Sequence, residues 1–335
     1  MLDERKTAIL RAVVKEYIET AQPVGSGHIA RSPDVRVSSA TIRNEMAVLE
    51  QEGYLTQPHT SAGRVPTDKG YRYFVDHLSS PGRLDAVRAE QVREFFTTTH
   101  RAVEQMLSDS SRLLSRLTDY AAIVVGPGAE ATTVRSVQLV GLSSRLATAV
   151  VVLSNGSVVN ESFDLPDETS DPRLAAATAH LAAHLHNRVL RGTVPATPTG
   201  DAAVDELCRL ALDAVGERTN ADETPLYVGG AARMASAFDA VEVVRSVLAT
   251  LEQQYVVVSL LRDVLDRGLS VAIGAEHGVE PLAACSVVVA PYLVDGEPVG
   301  TVGVLGPTRM NYPQALAAVE VVSEQLGARL GGVEG

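Results

Sequence analysis

The stretch VSSATIRNEMAVLEQEGYL, residues 37–55, combines side chains that can hydrogen-bond to DNA bases with the spacing of a helix. At about 100° per residue, Ile42, Met46 and Leu49 form an apolar stripe. The opposite side carries small and polar residues: Ala40, Asn44, Ala47 and Gln51. Small alanines let a helix enter a major groove, where asparagine can pair with adenine and Arg43 with guanine. The pattern fits a DNA-reading helix or an ordinary amphipathic surface helix, and the flanking sequence distinguishes the two.

Three helices and a hairpin are predicted around this stretch. A first helix from about Asp3 to Thr20 has apolar residues at helical spacing. Ser26 is expected to cap a short second helix, Ser38 or Ser39 to cap the third, and Gly53 to end it. Two extended pieces, YLTQP and GRVPT, then flank the polar loop HTSA. This order is typical of a winged helix-turn-helix and favours the DNA-reading interpretation.

The candidate DNA contacts lie at the start of the third helix, on its outer face and in the hairpin loop. They are Ser38, Ser39, Ala40, Thr41, Arg43, Asn44, His59, Thr60, Ser61 and Arg64. Serine or threonine at a helix start can donate to phosphates beside the backbone amides, and a wing can reach phosphates or a minor groove. Arg64 is expected to contact a phosphate.

A fourth helix follows the hairpin. Thr67 or Asp68 is expected to cap it. Its residues Tyr71, Phe74 and Val75 should pack on the module, whereas Lys69 and Arg72 are expected to be solvated or to touch the DNA backbone.

The net charge of −12 is unevenly distributed. Residues 1–80 hold ten Lys or Arg and ten Asp or Glu, so the remaining 19 basic and 31 acidic residues carry the whole excess. A neutral module on an acidic body would hold DNA at one end and repel it elsewhere.

Signals typical of enzymes are weak. GSGHIA, residues 25–30, follows a predicted helix, whereas the dinucleotide-binding pattern needs a preceding strand. His180 and His184 are four residues apart on a predicted helix, but His186 points away and no other third metal ligand is evident. The sequence contains no G-x-S-x-G, P-loop or H-E-x-x-H. We therefore expect no catalytic residue, cofactor or metal.

The two cysteines and the apolar stretches indicate the compartment. Cys208 and Cys285 are too few and too far apart for a disulfide framework or a structural zinc site, and are expected to be buried apolar residues. The apolar stretches are far shorter than the roughly 18 residues of a membrane span, and the N-terminus mixes acids and bases. A soluble cytoplasmic protein without a membrane partner is expected.

Beyond the module the pattern predicts an α+β body. The linker SSPGR, residues 79–83, precedes a helical stretch from about Leu84 to Leu117. Strands then surround Asn155-Gly156 and Asp295-Gly296, two hairpin signals. A helix should run from Asp171 to about Leu190 with Val189 inward, and Pro313 should open a final helix.

The expected domains are residues 1–78, a winged-helix module; 79–119, a linker and connecting helix; 120–195 and 268–335, two halves of one antiparallel-sheet domain; and 196–267, an insertion. The insertion is rich in apolar residues at helical spacing. Together with the apolar seam between Val103 and Leu117, it is expected to hold two chains together. The alternative is that these residues simply pack on the body.

Three motifs resemble those of a known family. TSAGRVPTDKGYRYFVD (residues 60–76), SSATIRNEMAVLEQEGYL and GVLGPTRMNY are similar to the heat-inducible transcription repressor HrcA family, and the similarity covers essentially the whole chain. The resemblance implies a repressor of chaperone operons that binds an inverted-repeat operator, CIRCE, in double-stranded DNA. It also implies a homodimer, support by the chaperonin GroEL, and a GAF-like domain interrupted by an inserted dimerising domain.

Two other functions remain open on the residues alone. The first is a winged-helix regulator whose GAF-like domain binds a small effector. The second, from a different class, is an enzyme that uses the β-rich body. Stabilisation by a metabolite would favour the first, turnover of a substrate the second, and stabilisation by an operator alone the repressor.

Overall fold

The computed structural model describes residues 2–59, 62–78, 82–97, 102–127, 133–154, 158–166, 169–189, 197–220, 225–235, 238, 241–267 and 270–332. Within them the chain is a mixture of helices and antiparallel sheets, an α+β protein as expected. None of the described helices is both long enough and apolar enough to cross a membrane.

The N-terminal module contains four helices and one two-stranded hairpin. In chain order they are α1 Glu4–Thr20, α2 Ser26–Ile29, α3 Ser39–Gln51, β1 Leu55–Thr56, β2 Val65–Pro66 and α4 Asp68–Asp76. Asp3 caps α1, and the Thr67 hydroxyl caps α4 by accepting a hydrogen bond from the Gly70 N–H. The predicted element order of residues 1–78 is confirmed.

The core of the module forms where α1 meets α3. Ile42 and Leu49 on α3 are fully buried, as are Ile9, Leu10 and Val13 on α1. An apolar side chain of this size contributes about 1.5–3 kcal/mol when fully buried. This packing leaves the opposite side of α3 facing outward.

Helix α4 joins the module to the body. Tyr71 is buried with its ring 5.9 Å from that of Tyr312, and Phe74 is also buried. Arg72 pairs with Glu276 and donates to the Val271 carbonyl at 2.7 Å. The apolar core is continuous from the module into the body. Helix α4 is expected to pack on the module, and the structure shows that it packs on the body as well.

Two helices connect the module to the body, α5 Ala86–Thr97 and α6 Val103–Thr118. The apolar seam of α6 is buried inside the chain: Met106, Leu107, Leu113, Leu114 and Leu117. It contacts one sheet and the last helix, α12 Tyr312–Gly331. The expectation that this seam holds a second chain is wrong, because its apolar side chains are already used within one chain.

The larger sheet has five antiparallel strands in the order β7-β3-β10-β9-β8. They are β3 Ala121–Val125, β7 Leu226–Gly229, β8 Val271–Ile273, β9 Cys285–Val294 and β10 Glu297–Pro307. Alternate residues face opposite sides, so Val124 packs towards α6 and α12 while Ile123 packs towards α10 Val241–Leu251 and α11 Gln254–Asp266. A five-residue helix, α9 Ala231–Ala235, follows β7.

Several local predictions for the body are confirmed. Asp295 and Gly296 both have positive φ, 53° and 86°, between β9 and β10. Two residues in the left-handed region are what a type I′ hairpin turn requires. Helix α12 buries Val319, Val322 and Leu326.

The smaller sheet is separate, with strands in the order β4-β5-β6. They are β4 Val134–Gly141, β5 Leu146–Leu153 and β6 Val158–Asp164, and α7 Asp171–Leu185 and α8 Ala202–Asn220 cover one face. The predicted Asn155-Gly156 turn between β5 and β6 lies outside the described residues.

This topology corrects the expected division of the body. Residues 120–195 and 268–335 are not two halves of one sheet, because among the described strands β4–β6 pair only with one another while β3 pairs with β10 and β7. The expected insertion, 196–267, is also divided. Its helix α8 packs with the small sheet, whereas Val257, Leu260 and Leu261 of α11 are buried on the large one. Those residues therefore pack on the body and do not form an interface.

The end of the helix predicted from Asp171 to about Leu190 also differs from the expectation. Helix α7 ends at Leu185, and Val189 lies beyond it, 39% exposed and bridged to Thr133. Pairing with the strand edge replaces the last predicted helical turn. The inward residues Leu174, Ala177 and Leu181 are buried as expected.

Candidate nucleic-acid interface

The ends of α3 are set by local hydrogen bonds. The Ser38 hydroxyl accepts from the Thr41 N–H at 3.2 Å, which satisfies one of the unpaired amides of the first turn. At the other end Gly53 has φ 78°, the Gly53 N–H donates to the Glu50 carbonyl, and the Tyr54 N–H donates to the Leu49 carbonyl. This is a Schellman ending, which needs the left-handed conformation that glycine adopts readily. Both termini agree with the sequence prediction.

A hydroxyl pair ties α2 to α3. The Ser26 and Ser39 Oγ atoms are 3.1 Å apart, and Gly25 is the residue at the cap position of α2. The prediction that Ser26 caps α2 is therefore wrong, because its side chain points towards α3. The bond fixes the start of α3 against the preceding helix.

The outward face of α3 presents the residues singled out from the sequence. Ser38, Ser39, Ala40, Arg43 and Asn44 are exposed. Thr41 is half-buried, with its hydroxyl 2.9 Å from that of Ser38. Across the part of the chain that the structure describes, the side chains of Arg43 and Asn44 form no hydrogen bond or ion pair, so their donors are available.

The loop between β1 and β2 contacts α3 through Arg64. His59 is exposed, and its carbonyl accepts from the Ala62 N–H at 2.8 Å. Gln57 donates to the Ala62 carbonyl at 2.9 Å and closes the loop. Thr60 and Ser61 lie outside the described residues.

Arg64 faces a carboxylate at the base of this loop. Its Nε and Nη2 atoms are each 2.9 Å from Glu50 Oε2 on α3. The Arg64 side chain is 19% exposed and that of Glu50 is 32% exposed. The guanidinium thus lies on the last turn of α3, whereas the sequence suggested a position facing phosphate.

Two further cations of the module have structural partners that the sequence did not reveal. Lys69 donates to the Glu52 carbonyl at 2.7 Å and lies 4.3 Å from the centroid of the Tyr54 ring. Arg72 pairs with Glu276, and this hydrogen bond raises the pKa of Arg72 further above its ordinary value. Arg72 is therefore not simply solvated as expected, whereas Lys69 is exposed, and the alternative that either touches the DNA backbone stays a prediction. Glu276 is 204 residues away in the sequence, so no local pattern could have identified the pair.

The positive charges of the module divide into two groups. Five of them have partners: Arg5, Lys6, Arg64 and Arg72 are in ion pairs, and Lys69 donates a hydrogen bond to the Glu52 carbonyl. In the described part of the chain, the side chains of the other five form no ion pair or hydrogen bond: Arg11, Lys15, Arg31, Arg36 and Arg43. Only the second group is available to neutralise phosphates without first breaking a contact.

The histidines of α7 do not gather a third ligand in the described residues. The His180 and His184 rings are parallel, with centroids 6.2 Å apart, while the Nδ1 atom of His186 lies 3.2 Å from the Arg135 carbonyl oxygen. No group of three His, Cys, Asp or Glu side chains is placed to hold a metal ion within those residues. Both cysteines are buried, as expected, and burial raises the pKa of Cys208 to about 11 and that of Cys285 to about 12.

Comparisons with known proteins agree with this architecture. A family model described as the HrcA protein C terminal domain matches residues 104–316. A relative from Pelotomaculum thermopropionicum is 37% identical, covering 97% of this chain and 96% of its own length. One from Shouchella clausii is 36% identical with 100% of both chains covered, and one from Nocardia farcinica is 37% identical over 97% of this chain and 96% of its own. All three are named heat-inducible transcription repressor HrcA.

A solved structure shares the fold. A crystal structure of a hypothetical protein matches 100% of both chains with a TM-score of 0.67 and 23% identity. The fold and the relatives together define a transcription repressor, with a small helical module at the N-terminus and a sheet-containing body behind it. The chain belongs to the HrcA family.

Proposed function

We propose that this protein represses heat-shock chaperone operons by binding an inverted-repeat operator of the CIRCE type as a dimer. The single observation that carries the proposal is the outer face of α3, where Arg43 and Asn44 are exposed and have no partner among the described residues. The module acts as a winged helix-turn-helix in which α3 enters the major groove. The β1–β2 loop, residues 57–64, is the wing.

Each exposed group has a chemical role in this arrangement. Arg43 and Asn44 read base edges, since both side chains can form two hydrogen bonds to one base. Ala40 allows close approach of α3 to the groove. Ser38, Ser39 and Thr41 contact phosphate with the free amides of the first turn. We expect His59, together with Thr60 and Ser61, to contact the adjacent DNA backbone or minor groove.

Binding of DNA by α3 is tested by removing its base-reading groups one at a time. Arg43→Ala and Asn44→Ala should each weaken operator binding by about 1–3 kcal/mol and relax specificity at particular bases. Thermal melts should match wild type, because neither side chain contacts the core. Arg93→Ala is the matched control, because it removes an arginine that is 69% exposed on α5. Operator affinity unchanged in both α3 variants would contradict the proposal.

The dimer forms, we propose, on the small sheet. One face is covered by α7 and α8, and the other exposes Val140 (39%), Leu146 (36%) and Val158 (45%). The strand register places Val152 opposite Val158 and Val150 next to them on this open face. These apolar side chains share the face with polar ones such as Gln138 and Asn160, and we take this exposed apolar group to be the association surface. Two copies joined here would carry two modules and read two half-sites.

Repression then follows from occupancy. A bound dimer blocks transcription, and loss of the DNA-competent form releases it. The five-stranded sheet with its helices is the GAF-like domain, and β4–β6 with α7 and α8 is the insertion. We further propose that the protein acts in the cytoplasm and catalyses no reaction, and that the chaperonin GroEL supports its activity, as the family resemblance implies.

A further inference from the structure

The wing and α3 are connected by one side-chain pair, Arg64 with Glu50. Two nitrogen atoms of the guanidinium approach the same carboxylate oxygen, Oε2, at 2.9 Å. Both side chains are partly shielded from water, with 19% and 32% exposed. A charge-assisted, two-nitrogen contact in such surroundings is stronger and more directional than a surface ion pair.

The backbone of Arg64 is fixed as well. Its N–H donates to the Val24 carbonyl and its carbonyl accepts from the Val24 N–H, both at 2.9 Å. At the preceding residue, Gly63, an added Cβ would lie 2.4 Å from the Val24 carbonyl oxygen, so only glycine permits this close approach. The main chain of Arg64 is therefore held by the segment before α2 while its side chain is held by α3.

These restraints make Arg64 unsuited to phosphate binding. If the guanidinium turned towards DNA, it would leave the Glu50 carboxylate partly buried and without its arginine, next to a polyanion. Such a carboxylate is costly in itself and repels phosphate. The module has five other cations that bear no such restraint in the described residues, Arg11, Lys15, Arg31, Arg36 and Arg43.

We propose that Arg64 and Glu50 form a strut that holds the wing at a fixed angle to α3, so that Arg64 is a positioning residue and not a phosphate contact. This inference rests on the proposed DNA-binding function. A helix in the major groove and a wing on the neighbouring backbone must engage together. Fixing their relative position before binding removes an ordering cost that a loose wing would incur on the DNA.

The test compares Arg64→Lys, Glu50→Gln and the double variant on operator and on random DNA over a range of salt concentrations. Lysine keeps the charge but lacks the guanidinium fork, and glutamine keeps the shape but lacks the charge. A strut predicts that each single variant weakens operator binding on the order of tenfold, and that the double variant is no weaker than either single one. The salt slope should stay at its wild-type value, because no phosphate contact is lost.

A phosphate contact predicts the opposite pattern. Arg64→Lys would then bind almost as wild type, and Glu50→Gln would strengthen binding to operator and random DNA alike by releasing the arginine. Arg64→Ala would lower the salt slope by about one. Any of these three results would overturn the strut.

A measurement on the free protein tests the strut independently of the proposed DNA-binding function. Hydrogen exchange of the free protein should show faster exchange in residues 55–66 of the Arg64→Lys and Glu50→Gln variants, with α1 unchanged. Unchanged protection of residues 55–66 would refute the strut even in a protein that binds its operator. Failure of wild-type protein to bind any operator would instead refute the proposed function, whatever the exchange shows.

Discussion

Gly274 offers a quantitative test of how the module is joined to the body. It lies just after β8 with φ 55°, and an added Cβ would be 2.2 Å from Asp68 Oδ2 and 2.6 Å from Asp68 Cγ. Asp68 is the first residue of α4, and its carboxylate accepts a backbone hydrogen bond from Ala275. Partial burial is the main reason that the pKa of Asp68 is raised, although the residue as a whole is exposed. Gly274→Ala should therefore displace the Asp68 side chain from its hydrogen bond with Ala275.

The magnitude follows from two contributions. Alanine in the left-handed region costs about 1–2 kcal/mol. Displacing Asp68 also loses a hydrogen bond to a charged group, worth about 1.5–3 kcal/mol. The free energy of unfolding should therefore fall by about 2.5–5 kcal/mol. Gly278, four residues later, has φ 78°, and a Cβ added there would have no heavy atom within 4 Å, so Gly278→Ala should cost only the backbone contribution.

Urea denaturation followed by circular dichroism measures both variants. We expect Gly274→Ala to be about 2 kcal/mol less stable than Gly278→Ala, from the lost charged hydrogen bond. In an Asp68→Ala background, Gly274→Ala should cost only about the backbone contribution, because the three atoms nearest to the new Cβ belong to the aspartate side chain that this background lacks. Equal destabilisation by the two glycine substitutions would refute the reasoning, since it would mean that Asp68 does not occupy this space.

Two further predictions concern the body. Both cysteines should resist a thiol reagent at about pH 8 until the protein unfolds, because both are buried. Burial also raises the pKa of Cys208 to about 11 and that of Cys285 to about 12, so the reactive thiolate is scarce at this pH. Fast labelling of the native protein would contradict this prediction. Val140→Glu combined with Val158→Glu should convert a dimer into a monomer in sedimentation, whereas Leu293→Glu, at a 49% exposed position of the large sheet, should not. A double variant that remains dimeric would place the interface elsewhere.

The features predictable from the sequence are those set within a few residues. Ser38 and Gly53 mark the ends of α3 because capping and the left-handed conformation depend on residue type and immediate neighbours. The stripe of Ile42, Met46 and Leu49 follows from helical periodicity alone. The outer face of α3 is predictable for the same reason, since it lies opposite that stripe.

The features that escaped prediction depend on distant partners. Alternating β-branched residues indicate that β4 to β6 are strands, but not which sheet they join, because pairing depends on the whole chain. The helical spacing of Leu260 and Leu261 indicates a buried face but not what covers it. Arg64 and Arg72 look equally available in sequence, yet each has a carboxylate partner in the folded chain.

Footprinting of wild-type protein on genomic fragments tests the central claim most directly. We predict protection of both halves of an inverted repeat upstream of chaperone genes, with protection lost in the Arg43→Ala and Asn44→Ala variants and retained in Arg93→Ala. Protection of no inverted repeat, or an identical footprint from the α3 variants, would contradict DNA recognition by this face of α3.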